Sequence, residues 1–249
     1  YQEKVITKIT EGENIVITAP TASGKTNAFL IPILDKIIQN PNKNKVSALF
    51  VYPTKALTAD QVENMYDLTT ESGITIKQLD GSKGGLDYKH QIVSNPPDII
   101  ATNFDMISYH LSHSNDSPFS KAFREMISNL KFIVVDETHQ CKGFFGSNIK
   151  WILKRLQRLN PNLQFIASSA TLDDAEVFCN NLFPVKMTQI QGSGKRGSLT
   201  LQFVQTTTLE RTLLITLTRL FAKYGRQVLT FAKSRKDAEN YDELGFFVF

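Results

Sequence analysis

The sequence has little cysteine, no long apolar run and only a small excess of one charge. Its two cysteines, Cys141 and Cys179, form no Cys-x-x-Cys pair, which argues against a disulfide scaffold or a cysteine zinc site. Apolar runs such as 132–135 stop after four or five residues, whereas a membrane span needs about 20. Lys and Arg number 28 against 24 Asp and Glu, so only the placement of the cations could indicate a polyanionic partner.

The N-terminus lacks the basic and then apolar residues of a secretion signal, since it begins Tyr1-Gln2-Glu3-Lys4. We therefore expect a protein with no membrane contact, in a reducing compartment inside the cell such as the cytoplasm, the nucleoid or the nucleus. Hydrophobic residues at 41% and charged residues at 21% are globular proportions, which exclude a disordered chain, collagen and a coiled coil.

Short apolar runs alternate with longer amphipathic stretches over most of the chain. The runs predict buried strands at 14–18, 46–52, 74–78, 99–101, 132–136, 164–168 and 185–190. The amphipathic stretches predict helices at 26–38, 58–69, 119–128, 147–159 and 173–182. This alternation is typical of an α/β fold with a doubly wound parallel sheet, which binds ligands at the carboxyl ends of its strands.

A break in composition at 191–198 separates this pattern from a second one. Three glycines and two serines fall within these eight residues, which we interpret as a linker. Beyond the linker, strand and helix patterns restart at 199–206, 210–224, 227–232 and 236–244, too few for a complete sheet. We expect a first domain at 1–190 and the incomplete start of a second domain at 199–249.

One segment has the composition of a phosphate-binding loop, because it follows a predicted strand and opens a predicted helix. It reads Ala19-Pro20-Thr21-Ala22-Ser23-Gly24-Lys25-Thr26. Such a loop turns backbone N–H groups toward a phosphate chain at the helix N-terminus. Lys25 would reach the β- and γ-phosphates of a nucleotide, and the Thr26 hydroxyl would bind Mg²⁺. Ala19 stands where the strict pattern has glycine, and the alternative is an ordinary Gly-Lys-Thr turn.

Two adjacent acids, Asp136 and Glu137, end another apolar strand. Asp136 could hold Mg²⁺ and Glu137 could orient and deprotonate an attacking water, with His139 reporting the phosphate state to its neighbours. The alternative is a plain helix start. Ser169 and Thr171 follow a further strand, where their hydroxyls could bond the acidic motif, cap the next helix, or do both.

Taken in order along the chain, these segments resemble the motifs of superfamily 2 helicases of the DExH type. The segments are 19–26 for motif I, 52–61 for motif Ia, 101–106 for motif Ib, 136–139 for motif II, 169–171 for motif III and 231–235 for motif IV. The resemblance implies RecA-like domains of the P-loop NTPase class and ATP with Mg²⁺ as cofactors. It also implies that Gln2 reads the adenine, and that Ser169 and Thr171 couple the nucleotide site to the nucleic-acid site.

A narrower resemblance, over 136–148 and 153–156, is to the mitomycin-repair-type (MrfA-like) DNA helicases. It implies ATP-driven 3′-to-5′ movement on single-stranded or partly duplex nucleic acid, with DNA favoured over RNA, and a role in DNA repair. The helicase motifs imply sequence-blind contacts with backbone phosphates, against the alternative of loop and helix-cap chemistry. The residues are Pro53, Thr54, Lys55, Thr102, Asn103, Ser234 and Arg235.

Other functions stay open on these residues. The chain could be a nucleotide-gated nucleic-acid-binding subunit of a repair or defence complex that does not unwind, an RNA helicase, or a P-loop NTPase acting on proteins or small molecules. Seven basic residues and no acid lie between 211 and 236, which indicates a nucleic-acid partner or a solvated helix face. In the family, arginines of a later motif complete the ATP site, so we expect 1–249 alone to turn over little ATP.

Two further patterns argue against other chemistry. His110 and His113 have no third ligand nearby in the sequence, which argues against a metal site. Ser169 has no histidine or aspartate at a useful spacing, which argues against a serine nucleophile.

Overall fold

The structure is a computed structural model, and it describes the chain with some gaps. The described residues are 1–21, 23–41, 45–81, 85–113, 117–170, 172, 174–193, 216, 217, 219, 220, 223 and 224. The chain divides into two compact units, Tyr1–Lys195 and Arg196–Phe249. In the second unit the described residues 216, 217, 219, 220 and 223 are helical. The strands predicted at 199–206 and 227–232 lie outside the described residues.

Seven strands and eight α-helices make up the described part of the first unit. The strands are β1 Ile15–Thr18, β2 Ala48–Tyr52, β3 Ile76–Leu79, β4 Ile99–Asn103, β5 Phe132–Val135, β6 Gln164–Ser169 and β7 Thr188–Gln191. The helices are α1 Gln2–Thr10, α2 Lys25–Gln39, α3 Lys55–Glu71, α4 Leu86–Ser94, α5 Phe104–Ser112, α6 Pro118–Ser128, α7 Gly143–Leu159 and α8 Ala175–Leu182. A short 3₁₀ helix, Thr138–Gln140, lies between β5 and α7.

The strands form one parallel sheet in the order β3-β4-β2-β5-β6-β1-β7. Most of them are buried along their whole length, as expected for a parallel sheet covered on both faces. Successive side chains alternate between two cores: Ile15 and Ile17 of β1 pack into one, and Val16 into the other. This confirms the predicted α/β fold with a doubly wound parallel sheet.

Helices cover both faces of the sheet, in two sequence-continuous groups. The first three helices, α1, α2 and α3, pack into the core that contains Ile15 and Phe50. The other five, α4 to α8, pack into the core that contains Val16 and Leu153. None of the helices in the described part of the chain has the length and apolar character needed to cross a membrane.

All seven predicted strands are confirmed, with ends that shift by a few residues. Three helices were missed: α1, α4 and α5, each nine residues long. A helix this short gives only two or three apolar repeats; α1, for example, buries Val5 and Ile9 alone. The predicted helix starts at 58 and 147 were late, because α3 begins at its Thr54 cap and α7 at Gly143.

The strand order decides which loops meet. Since all strands point the same way, the segments after β1, β2, β4, β5 and β6 lie along one edge of the sheet. β6 stands between β5 and β1. The end of β6 at Ser169 therefore lies between the acid pair and the phosphate loop.

Candidate functional site

The loop between β1 and α2 leaves a helix N-terminus open at the carboxyl edge of the sheet. Gly24 is the N-cap of α2 and has a left-handed φ of 82°, which glycine adopts without strain. No side chain caps α2 and no acid lies in its first turn, whereas Thr54 caps α3 and Asn103 caps α5. The uncapped N–H groups and the positive end of the helix dipole suit this site to a phosphate.

Lys25, the first residue of α2, folds back into the loop. Its ammonium group donates to the carbonyl oxygens of Ala19 at 2.8 Å and Pro20 at 2.9 Å. The residue is only 9% exposed, a degree of burial that is rare for lysine. Within the described part of the chain, none of the ion pairs involves it. An ammonium group held by neutral oxygens keeps its charge available for an anion.

Two side chains from the N-terminus of α1 hold the loop from outside. Tyr1 Oη donates to the Ser23 carbonyl at 2.6 Å, and Gln2 Nε2 donates to the Gly24 carbonyl at 3.2 Å. The fit against Gly24 is tight, since a Cβ on this residue would lie 2.5 Å from Gln2 Nε2. Gln2 therefore lies against the phosphate loop. The contact of Tyr1 was missed, because a tyrosine at a helix start gives no signal in a single sequence.

Asp136 and Glu137 leave the end of β5 in a constrained backbone. The Asp136 N–H donates to the Val51 carbonyl at 3.0 Å, and Asp136 Oδ1 accepts the N–H of Glu137 at 2.9 Å. Glu137 has a left-handed φ of 51°. For a non-glycine residue this conformation costs about 1–3 kcal/mol and is typical of active sites.

The surroundings of Glu137 make its carboxylate more basic. Burial, and then the charge of Asp136, raises the pKa of Glu137, while His139 and Lys25 partly oppose the rise. A carboxylate with a raised pKa takes a proton from water more readily. The influence of Lys25 also shows that the phosphate loop and the acid pair are electrostatic neighbours.

A row of contacts connects the acid pair to the end of β6. Thr138 Oγ1 donates to the Ser168 carbonyl at 3.1 Å. His139 Nδ1 lies 3.1 Å from Glu137 Oε2 and 3.4 Å from Ser169 Oγ. The fold therefore gives Ser169 a histidine neighbour across 30 residues of sequence, which spacing in the sequence did not indicate. Both contacts use the same ring nitrogen, whereas a serine–histidine–acid triad needs both.

The polar residues after β2 and β4 have structural partners. Thr54 Oγ1 accepts the N–H of Leu57 at 3.2 Å, and Asn103 Oδ1 accepts that of Met106 at 3.0 Å, so both are helix caps. Thr102 is fully buried and donates to the Leu79 carbonyl at 2.6 Å. The hydroxyl of Thr102 is thus used within the fold, which is the alternative that the sequence left open.

Lys55 presents a charge at the same edge. It is exposed at the start of α3, with the half-exposed Pro53 two residues earlier. Its ammonium group lies over the turn after β3, where a Cβ on Gly81 would be 2.8 Å from Lys55 Nζ. The Lys55 side chain therefore reaches from the end of β2 to the turn after β3, and its ammonium group is open to solvent.

Of the other predicted site residues, Thr21 is exposed in the loop after β1, whereas Ala22, Thr171, Ser234 and Arg235 lie outside the described residues. His110 of α5 and His113, which caps the end of α5, have partners within the fold. His110 is buried with Nδ1 2.8 Å from Ser120 Oγ, and His113 stacks on Tyr109 with ring centroids 4.5 Å apart. Burial, and then the charges of Lys89 and His113, lowers the pKa of His110 to about 4.

The donors at this edge fit Mg²⁺ bound together with a nucleotide. The described residues contain no group of three or more His, Cys, Asp or Glu side chains that could hold a metal. Mg²⁺ usually takes one or two carboxylates and completes its shell with phosphate oxygens and water. The carboxylate of Asp136 and the half-buried Thr26 in the first turn of α2 form such a sparse set.

Comparison with known proteins identifies the family. A model of the DEAD/DEAH box helicases matches residues 1–178. The chain belongs to the DEAD/DEAH box helicase family. The ATP-dependent helicase MJ1574 of Methanocaldococcus jannaschii is 32% identical over 193 residues, which are 74% of this chain and 27% of that protein. The chain thus spans about a quarter of the length of this relative.

Solved structures agree with the family and with the narrower resemblance. The DUF1998 helicase MrfA is 29% identical with a TM-score of 0.79, over 98% of this chain and 38% of that chain. A structure of MrfA bound to DNA and AMPPNP is 26% identical with a TM-score of 0.73, over 96% of this chain and 34% of that chain. The predicted resemblance to DExH helicases of the MrfA-like group is confirmed, and the seven-stranded parallel sheet with its helices is a RecA-like helicase domain.

Proposed function

We propose that this chain carries the ATP-binding domain of a helicase or translocase that couples ATP hydrolysis to movement along single-stranded DNA. The observation that carries the proposal is the meeting of three features at one sheet edge. They are the uncapped N-terminus of α2 with Lys25, the acid pair Asp136 and Glu137, and the exposed cation of Lys55. On the same proposal, 191–198 is a linker and 199–249 begins a second RecA-like domain.

The residues of the loop bind the nucleotide in this proposal, and those after β5 act on water. The N-terminus of α2 and Lys25 hold the phosphates, while Gln2 contacts the base. Thr26 and Asp136 hold Mg²⁺, which neutralises phosphate charge. Glu137 orients a water and accepts its proton, a role for which its raised pKa suits it.

The nucleic-acid partner in this proposal is single-stranded or partly duplex DNA. Lys55 and the N-termini of α3 and α5 face the edge as a cation and two helix dipoles, which suit backbone phosphates of any sequence. The structure of MrfA bound to DNA and AMPPNP supports DNA over RNA. A role in DNA repair belongs to the same proposal.

In this proposal His139 couples the nucleotide site to the DNA-binding site. Its Nδ1 lies between Glu137 Oε2 and Ser169 Oγ. A shift of Glu137 on nucleotide binding changes the contact of His139 with β6, and Ser169 passes that change along the edge. Thr171, which belongs to the same motif, is proposed as its partner in coupling.

The test is ATP turnover by the natural full-length protein with no nucleic acid and with single-stranded DNA, single-stranded RNA or duplex DNA of one length. We expect single-stranded DNA to stimulate turnover most. Lys55→Ala should reduce that stimulation. Lys45→Ala is the matched control, because Lys45 is an exposed lysine just before β2 rather than after it.

Each alternative function has its own result in this test. Turnover that no nucleic acid changes would indicate an NTPase acting on proteins or small molecules. Preferential stimulation by RNA would indicate an RNA helicase. Stimulation by DNA without strand separation or movement would indicate a nucleotide-gated binding subunit.

A further inference from the structure

The outward side of α7 carries exposed aromatic rings and cations in one row. Phe144 is 83% exposed and Trp151 is 61% exposed. Steps of three and four residues place these rings on one side of the helix, opposite the buried Ile149 and Leu153. We call this row, together with the Lys154 side chain that contacts the Trp151 ring, the α7 outer face; its members are Phe144, Asn148, Trp151, Lys154, Arg155 and Arg158.

The α7 outer face is basic. Three of the four cations of helix α7 belong to it, namely Lys154, Arg155 and Arg158; the fourth is Lys150, and the helix contains no acid. A pocket of about 320 Å³ lies on the adjoining side of the same helix, against α8, and its lining contains Lys142, Lys150 and no acid. The region therefore attracts anions.

Trp151 is held in an orientation that leaves part of its ring available. The Lys154 ammonium group lies 4.9 Å from the centroid of the Trp151 ring, a cation–π contact. This contact occupies one face of the ring, while most of the side chain stays exposed. A flat ring with a cation beside it matches a nucleotide, which presents a base for stacking and a phosphate for the charge.

The position of α7 links its outer face to the carboxyl edge. Phe144 is in the first turn of α7, shortly after the 3₁₀ helix that follows the acid pair. Arg155 Nη2 donates to the Leu111 carbonyl at 2.8 Å, which ties α7 to α5. Since α5 begins at the Asn103 cap, the outer face starts near the edge where the proposed DNA contacts lie and runs away from it.

We propose that the α7 outer face is a second binding surface for single-stranded nucleic acid, apart from the helicase motifs. Bases stack on Phe144 and Trp151, and phosphates lie near Lys154 and Arg158. This inference rests on the proposed function and extends it to a stretch of strand beyond the motif edge. The row from Phe144 to Arg158 is about 21 Å long at 1.5 Å per residue. That length matches about six stacked nucleotides at 3.4 Å each.

Charge and composition favour nucleic acid over a protein partner. Charged residues are depleted at the core of protein interfaces, whereas the α7 outer face places three cations and no acid beside its two rings. Single-strand binding surfaces combine cations with aromatic rings on which bases of any sequence stack. An acidic protein segment is the competing occupant, and the experiment below includes it.

The test uses the fluorescence of Trp151, which is the single tryptophan of the 249-residue chain. The chain is titrated with oligo(dT), with an abasic oligonucleotide of equal length and charge, and with an acidic peptide containing tyrosine. Oligo(dT) binding is followed at the same time by anisotropy of a label on the strand. We expect oligo(dT) to quench Trp151 in parallel with the anisotropy rise, and the abasic strand and the peptide to quench it little.

Variants separate stacking from charge. Phe144→Ala should weaken oligo(dT) binding about fivefold or more, the loss of one stacked base, and should leave abasic binding unchanged. Tyr66→Ala should change neither, because Tyr66 is a similarly exposed ring (59%) on α3, which covers the other face of the sheet. Both positions are exposed, so neither substitution removes core packing.

Each remaining outcome overturns the inference. An anisotropy rise without quenching would place the strand elsewhere and leave the proposed function standing. Equal quenching by the abasic strand would indicate that the surface binds strands through charge alone, without base stacking. Quenching by the peptide and not by oligo(dT) would make the surface a protein interface. No strand binding in either signal would contradict the proposed function as well.

Discussion

Replacing Gly24 with alanine should both strain the backbone and displace Gln2, and a comparison with Gly12→Ala separates the two effects. Gly24 has a φ of 82°, and an added Cβ would lie 2.5 Å from Gln2 Nε2. Alanine in the left-handed region costs about 1–2 kcal/mol. Gln2 must also swing away, and the loss of its bond to the Gly24 carbonyl adds about 0.5–1.5 kcal/mol.

Gly12 provides a matched control, because its φ is 83° and no atom lies within 4 Å of an added Cβ. Gly12→Ala should therefore show the backbone strain alone. Unfolding in urea measures both costs, and Gly24→Ala should lose more free energy of unfolding than Gly12→Ala. Gln2→Ala combined with Gly24→Ala should lose no more than Gly24→Ala, since the displaced contact is already gone.

Nucleotide affinity is the functional half of this prediction. If Gln2 contacts the base, its displacement should weaken binding of a fluorescent ATP analogue about fivefold in Gly24→Ala, the equivalent of about 1 kcal/mol. Gly12→Ala should bind the analogue as tightly as the unmodified chain. Equal affinity of Gly24→Ala and Gly12→Ala would refute the assignment of Gln2 to the nucleotide.

Three further outcomes follow from the same structure. Lys25→Ala removes the ammonium group from the loop, so binding of the ATP analogue should fall below detection, and retained binding would exclude Lys25 from the site. Lys55→Ala should weaken binding to all single-stranded sequences alike and reduce the slope of log affinity against log salt by about 1; a loss confined to some sequences would argue against a phosphate contact. The pKa of His110 is about 4 in the folded chain and 6.5 when unfolded, so the unfolded chain binds more protons between these values. The free energy of unfolding should therefore fall by up to about 3 kcal/mol as the pH drops from 6.5 to 4. In His110→Gln, urea unfolding at several pH values should show that this fall is lost. An unchanged dependence of the free energy of unfolding on pH would contradict the burial of a neutral imidazole.

The strands and the phosphate loop could be predicted from the sequence because each has a local cause. Buried parallel strands are short continuous apolar runs, as at 132–135. The Gly-Lys-Thr turn falls between such a run and a helical pattern, and Gly24 does adopt the backbone that this turn requires. The short helices α1 and α5 gave too few repeats to be predicted.

The contacts that organise the site could not be predicted, because they depend on strand order. Nothing local in the sequence indicates that β6 lies between β5 and β1, which brings Ser169 to His139. The left-handed backbone of Glu137 is likewise imposed by the surrounding fold, since residue type alone gives glutamate no preference for it. Burial of the Thr102 hydroxyl follows from the pairing of β4 with β3.

The central claim is that Glu137 acts on water at a site where Lys25 and the N-terminus of α2 hold ATP. It is tested most directly by ATP turnover in Glu137→Gln of the natural full-length protein, with saturating single-stranded DNA and with ATP binding measured on the same sample. The amide keeps the shape of the side chain but cannot accept the proton. We expect ATP to bind as in the unmodified protein while turnover is lost. Turnover at the unmodified rate with ATP bound would contradict the assignment of Glu137 as the base.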